Sequence, residues 1–159
     1  MKKVSFVLCI LGGFLLFGSQ IAWAGKPLFA NVTVDAECTV TGADVLVDAG
    51  LTQKDAPSSG PVVSQVVYIL EQHFPKQKDW FPVGIPVVVT FSPPETFALL
   101  EPGQRYDVDT EDLGVCGVVS PGANAVRAVV EITVKNANPK RPAGLIHTGR
   151  CISFPNPCK

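Results

Sequence analysis

The sequence predicts an all-β protein that folds as an antiparallel β-sandwich with an irregular, disulfide-pinned C-terminal tail. Three observations predict this fold: apolar and polar residues alternate over several segments, turn residues separate those segments, and cysteines recur in an exported chain. Alternation with a period of two gives each strand one buried face. Several such strands must pair into sheets that cover one another, which is the architecture of a sandwich.

Residues 1–24 have the features of a secretory signal peptide. Two lysines precede an apolar run, and the segment ends in Ala-Trp-Ala, which is a cleavage site of the A-x-A type. Cleavage would leave residues 25–159, with no later apolar run long enough to span a bilayer. We therefore expect an exported protein, periplasmic or extracellular, with no membrane span after cleavage.

The charge of the chain excludes some classes of partner. Loss of the two leader lysines leaves 11 of the 13 basic residues against 14 acidic residues, so the net charge becomes −3. The longest basic run is Lys140-Arg141. Nucleic acid is not an expected partner, because its recognition relies on clustered basic side chains.

Strand patterns cover most of the chain from residue 25 to 136, which we assign to one domain. Residues 30–40 alternate and place Cys38 on the buried face, and Val45–Leu51 follows after a turn. Ile85–Phe91 is a β-branched run bracketed by prolines, which favours an edge strand. Ala125–Lys135 alternates again and is the expected final strand.

The segment from Pro61 to Phe74 fits two structures. Its apolar residues have helical spacing, and Pro75 would stop a helix. The segment is also rich in valine and isoleucine, which favour strands. We favour a strand, because a sandwich requires one there.

Four cysteines remain after cleavage, and they predict two disulfides. Three connectivities are possible. We favour Cys38 with Cys116 across the core, and Cys151 with Cys158 closing a local loop in the proline-rich tail, residues 137–159. A zinc site is not expected, because no pair of cysteines has C-x-x-C spacing.

The stretch "LLEPGQRYDVD" resembles the tyrosine corner of bacterial immunoglobulin-like and fibronectin type III-like domains. Pro102 and Gly103 form a turn, and Tyr106 follows it at the start of a strand. The resemblance implies that the Tyr106 hydroxyl bonds back to upstream backbone and that these three residues form a structural corner.

The densest acidic group follows this corner. Its members are Asp107, Asp109, Glu111 and Asp112. Oxygen-rich clusters can bind calcium, although the EF-hand pattern is absent. On a regular strand Asp107 and Asp109 would share the outward face, so we favour a solvated strand edge and keep calcium as the only cofactor to consider.

Two pairs of apolar residues are candidates for binding. Trp80 and Phe81 lie in "DWFPVG", which we interpret as a loop, and adjacent rings there can stack on sugars or anchor a partner. Ile152 and Phe154 lie between the last two cysteines. Each of the four side chains either packs against the domain or is exposed and binds a partner.

These features predict a non-catalytic binding or assembly module of the bacterial cell envelope or surface. It would act on another envelope or surface protein through sheet edges or apolar loops. The alternatives are a carbohydrate-binding module that uses Trp80 and Phe81, or a small secreted enzyme or enzyme inhibitor. Catalysis is not expected, because the two histidines have no serine or acidic signature beside them.

Overall fold

The computed structural model describes residues 32–53, 61–97, 102–135 and 144–158. These ranges contain β-strands and no helix, so the predicted all-β class is confirmed, and none of the described segments is a helix that could cross a membrane. The strands are β1 Val32–Thr41, β2 Asp44–Gln53, β3 Val62–His73, β4 Trp80–Thr96, β5 Arg105–Gly114, β6 Ala125–Val134, β7 Leu145–Arg150 and β8 Phe154–Pro155. The predicted signal peptide lies outside the described residues.

Two antiparallel sheets pack face to face around one core. The first has the order β1-β2-β5, and the second has the order β4-β3-β6-β7, with β8 pairing to β6. The two inner faces supply a continuous cluster of buried side chains, mostly valine. The antiparallel sandwich is therefore confirmed.

The hairpin of β1 and β2 follows directly from the local sequence. Gly42 and Ala43 form the turn, and Gly42 has a φ of 64°, a conformation that glycine adopts without steric cost. The register places Thr41 opposite Asp44 and Cys38 opposite Val47. Because Val47 is fully buried, the alternation of β1 turns Cys38 toward the core, as predicted.

The ambiguous segment is a strand, as we favoured. β3 lies between β4 and β6, and its residues Val66, Tyr68 and Leu70 are buried. A helix would leave both neighbouring strands with an unpaired edge. Because buried backbone groups of β4 and β6 must be paired, this segment forms a strand although its apolar residues have helical spacing.

The predicted disulfide pairing is wrong. Cys38 is bonded to Cys151, and Cys116 is bonded to Cys158. The reason is that β7, which the sequence pattern does not indicate, lies against β1 at the edges of the two sheets. A Cβ added at Gly149 of β7 would lie 2.6 Å from the carbonyl oxygen of Val34. We call this edge of the sandwich the closed side.

The C-terminal tail is pinned by disulfides, as predicted, but its two cysteines bond to Cys38 and Cys116 and not to each other. It also forms β7 and β8, so Ala125–Lys135 is not the final strand that we expected. Buried Asn156 holds β8 in place through its side-chain amide, which donates to the carbonyl oxygens of Ala123 at 3.1 Å and Ser120 at 3.3 Å.

The opposite edges of the two sheets form what we call the open side. β4 is the outer strand of its sheet, which confirms the predicted edge position of Ile85–Phe91. β5 is the outer strand of the other sheet and pairs with β2. Within the described ranges no strand pairs with the second edge of either β4 or β5.

Candidate functional site

A β-bulge in β5 decides which acidic side chains face the inside of the sandwich. Tyr106 lies opposite Leu51 and Asp107 opposite Gly50, but Asp109 lies opposite Ala49, so Val108 is an extra residue. The bulge shifts the alternation by one residue. Asp109 and Glu111 consequently lie on the same face as the buried core, and our expectation that Asp109 shares the outward face of Asp107 is wrong.

Asp109 receives a hydrogen bond from a buried tyrosine of the other sheet. The hydroxyl of Tyr68 donates to its carboxylate at 2.7 Å, and the Tyr68 side chain is 1% exposed. Burial, the hydrogen bond to Asp109 and the nearby carboxylates of Glu111 and Asp48 all raise the pKa of the Tyr68 phenol well above its ordinary value. Tyr68 is therefore a permanent hydrogen-bond donor that links the two sheets.

A cleft of about 110 Å³ opens beside Tyr68, between the free edges of β4 and β5. Its lining is about equally polar and apolar and includes Tyr68, Leu70, Val83, Gly84, Ile85, Val87, Asp112, Leu113, Gly114 and Val118. Ile85 is 92% exposed and Val118 is 44% exposed at its mouth. Pockets for small molecules have volumes of roughly 300 to 1,000 Å³, so this cleft has room for one side chain and not for a whole ligand.

Arg105 neutralises acidic residues at the far end of β5. Its guanidinium lies directly over Gly50, where an added Cβ would overlap Nε. It forms salt bridges with Asp48 at 3.1 Å and Glu37 at 3.9 Å, and a third with Asp107. Within the described residues Asp109, Glu111 and Asp112 form no salt bridge, so the negative charge of β5 is not neutralised from Asp109 to Asp112.

The four acidic candidates for calcium therefore have different surroundings. Asp107 contacts Arg105, Asp109 accepts from Tyr68, and Asp112 lines the cleft. In the parts of the chain that the structure describes, no three carboxylate, histidine or cysteine side chains form a group that could hold a metal ion.

Trp80 lies at the first position of β4, opposite His73, and not in a loop as we expected. One face of its ring contacts the guanidinium carbon of Arg127 at 4.2 Å from the centroid, and Arg127 is held by Glu71 at 2.7 Å. Phe81 is 39% exposed and packs edge-on against Phe74. Stacking of a sugar on that face of Trp80 would require the displacement of a fixed guanidinium.

The other two binding candidates are separated by the fold. Ile152 is 91% exposed in the segment before β8. Phe154 pairs with Val126 in the second sheet and packs against the core. Phe154 is therefore a packing residue, whereas Ile152 is a free apolar side chain on the side of the sheet away from β4.

The three corner residues lie together at the end of β2. Gly103, in the turn after Pro102, donates its N–H to the carbonyl oxygen of Gln53 at 2.7 Å. The Tyr106 hydroxyl donates to the side-chain oxygen of the same Gln53 at 3.0 Å. The predicted corner is thus hydrogen-bonded to one buried residue, Gln53, through both the backbone and the side chain of that glutamine.

The cleft could not be predicted from the sequence. The residues that form it, such as Tyr68, Ile85 and Val118, belong to different strands or turns, and their proximity depends on which strands are at the sheet edges. The only local signal was the edge position predicted for Ile85–Phe91.

Comparisons with known proteins do not assign this chain to a family. No family model matches the chain, and no curated protein matches it. The solution structure of R. palustris CsgH is similar over 79% of this chain and 92% of that chain, with 12% sequence identity and a TM-score of 0.33. These comparisons do not show the expected relation to immunoglobulin-like or fibronectin type III-like domains. The two disulfides indicate an extracytoplasmic protein.

Proposed function

We propose that this protein is a non-catalytic binding or assembly module of the bacterial cell envelope or surface, and that its open side docks on a protein partner. One observation carries the proposal. The free edges of β4 and β5 lie on the same side of the sandwich, with exposed Ile85 at the mouth of the cleft between them.

Free sheet edges support a protein partner in particular. An edge strand presents unpaired N–H and C=O groups, and a partner in extended conformation can pair with them. Exposed apolar side chains beside such an edge add buried area to the contact. Ile85, Val88 and Val118 provide this apolar surface on the open side.

The small volume of the cleft also favours a protein partner. A side chain projecting from an extended backbone fits a space of about 110 Å³. A sugar or metabolite held only by this cleft would remain largely outside it. The carbohydrate alternative has no comparable support, because Arg127 covers one face of the Trp80 ring.

Site-specific photo-crosslinking in the native cell envelope tests the proposal. A benzophenone amino acid replaces Ile85 on the open side in one variant and Ile152 in a second, matched variant. The two isoleucines are 92% and 91% exposed, so the reporter is equally accessible at both positions. We expect a defined adduct from position 85 and none from position 152.

The captured protein is then identified, purified and tested for binding to the unmodified chain. Ile85→Asn, which removes the apolar side chain without adding charge, should weaken that binding, and Ile152→Asn should not. Equal adducts from both positions, or no adduct from position 85, would contradict docking through the open side.

A further inference from the structure

We propose that the open side binds an extended segment of a partner protein that pairs with β5 and inserts a lysine or arginine side chain into the cleft. This inference rests on the proposed function and names the chemistry of the partner.

β5 is better suited than β4 to accept a strand from a partner. β4 contains Pro82, Pro86, Pro93 and Pro94, and its pairing with β3 is interrupted at two places. Prolines lack the backbone N–H, and irregular register distorts an edge, so both features oppose strand addition. β5 contains no proline from Arg105 to Gly114, and its bulge at Val108 lies before the regular residues 110–114.

Several backbone N–H groups of β5 beside the cleft point toward its free edge. Val115 donates its N–H to Ala43 on the β2 side. Because the direction of these groups alternates along an antiparallel strand, Gly114, Asp112 and Thr110 direct theirs toward the free edge. A partner strand paired with residues 110–114 would therefore run along the mouth of the cleft.

The inner face of β5 determines which side chain of a partner strand would enter the cleft. In antiparallel pairing, residues opposite each other share one face of the sheet. Glu111 and Leu113 lie on the inner face, opposite Val47 and Val45 of β2. A partner residue opposite either of them would direct its side chain inward, into the cleft.

The acidic residues around the cleft favour a basic partner side chain. Glu111 lies on the inner face near Tyr68, whereas Asp112 contributes to the lining of the cleft from the outer face of the sheet, and neither is paired with a cation in the described part of the chain. The charged groups that act on the Tyr68 phenol, at the same cleft, are all carboxylates. Arg105 is occupied at the other end of β5 by Asp48, Glu37 and Asp107.

A long basic side chain satisfies both parts of this surface. Its methylene stem can lie against the apolar walls formed by Val83, Val87 and Val118. Its charged end then reaches the inner-face carboxylates beside Tyr68, those of Asp109 and Glu111. An acidic side chain would be repelled. An apolar side chain of the same length would contact the walls and leave the carboxylates unpaired.

Three synthetic peptides test the inference. The first is acetyl-Thr-Thr-Val-Thr-Lys-Thr-Val-Thr-Thr-amide, and the other two carry norleucine or glutamate at the central position. Norleucine keeps the stem and removes the ammonium group. We expect the lysine peptide to bind the mature, oxidised protein at least tenfold more tightly than the glutamate peptide and several-fold more tightly than the norleucine peptide, in 0.1 M salt. This preference should shrink in 1 M salt, because exposed charges are screened.

The protein variants locate the effect. The variant Glu111→Gln, which removes one inner-face charge beside the cleft, should lose most of the preference for lysine over norleucine. Asp107→Asn is the matched control, since it removes an acidic charge from the same strand but away from the cleft. The lysine peptide should also slow hydrogen exchange at the amides of Thr110, Asp112 and Gly114.

The outcomes separate this inference from the proposed function. Equal binding of lysine and norleucine peptides, an unchanged preference in Glu111→Gln, or binding of no peptide overturns the inference. If position 85 still gives a defined photo-adduct in the envelope, docking through the open side survives that result. If position 85 gives no adduct, the proposed function itself fails.

Discussion

At the scale of single residues, the contact between Tyr68 and Asp109 is the one that joins the two sheets beside the cleft. A hydrogen bond to a carboxylate contributes roughly 1.5 to 3 kcal/mol, more than a bond between neutral groups. Tyr68 is 1% exposed, so its hydroxyl has no alternative partner in water. The pair therefore fixes the position of β5 relative to β3.

We predict that Tyr68→Phe lowers the free energy of unfolding by about 1.5 to 3 kcal/mol at neutral pH, because Asp109 loses its donor. The raised pKa of Tyr68 also makes the stability of the wild-type protein depend on pH. Above about pH 10 the unfolded chain releases the phenolic proton and the folded chain keeps it, so the wild-type protein loses stability with rising pH. Denaturant unfolding between pH 8 and 11 measures both effects.

The decline attributable to Tyr68 is at most about 1.4 kcal/mol per pH unit, and Tyr68→Phe should lack it. The stability difference between the two proteins should therefore narrow as the pH rises above 10. A difference that stays constant over this range would show that the phenol does not remain protonated in the folded chain.

The sequence predicted some single-residue positions and missed others for a definable reason. The alternation of residues 30–40 correctly turned Cys38 toward the core. The same reasoning failed for Asp109, because the bulge at Val108 shifts the alternation and no glycine or proline in β5 marks it. Side-chain direction can be predicted only as far as the strand stays regular.

At the scale of strands, those with clear alternation were predicted and the others were not. β1, β2 and β6 each have a continuous apolar face, and all three form where the pattern indicates. β7 is six residues long, and of the three residues that it turns inward, Leu145, His147 and Gly149, only Leu145 is a large apolar one. Without β7, the partner of Cys38 could not be identified.

The disulfide between Cys116 and Cys158 should determine the local stability of the tail. We predict that Cys116→Ala with Cys158→Ala releases β8, because this bond closes a separation of 42 residues and Asn156 lies beside it. Such a link contributes about 4 kcal/mol in a chain-entropy model. Hydrogen exchange at the Asn156 amide, which bonds to Asn124, should accelerate at least tenfold more than at Ile132 in central β6.

Equal acceleration at both amides would instead mean that the tail and the central sheet open as one unit. In the variant, the second disulfide, between Cys38 and Cys151, still holds the end of β7 and so serves as an internal control. Amides of β1 and β2 should change no more than that of Ile132.

At the scale of the whole molecule, the sandwich has one side that is covalently closed and one that is open. Cys38 and Cys151 join the two sheets on the closed side, whereas β4 and β5 leave the cleft between them on the other. The class and the antiparallel arrangement could be predicted from alternation alone. The order of the strands could not, because alternation defines which face is buried and not which strands are neighbours.

The predicted leader and the observed disulfides together give a whole-molecule test. Cleavage after Ala24 would remove Cys9, and the four remaining cysteines are all paired. We therefore predict that the exported protein, denatured without reductant, shows no reactive thiol and has the mass of residues 25–159. One reactive thiol per chain would indicate that the leader is retained.

The order of the paired cysteines has a consequence for biogenesis. The first cysteine after the leader bonds to the third, and the second bonds to the fourth. During export Cys38 and Cys116 reach the oxidising compartment before their true partners, so oxidation in order of emergence would join these two. That bond must then be exchanged through a mixed disulfide, a step that takes seconds to hours without assistance. The yield of native protein in the cell should consequently depend on a thiol-disulfide isomerase, and not on an oxidase alone.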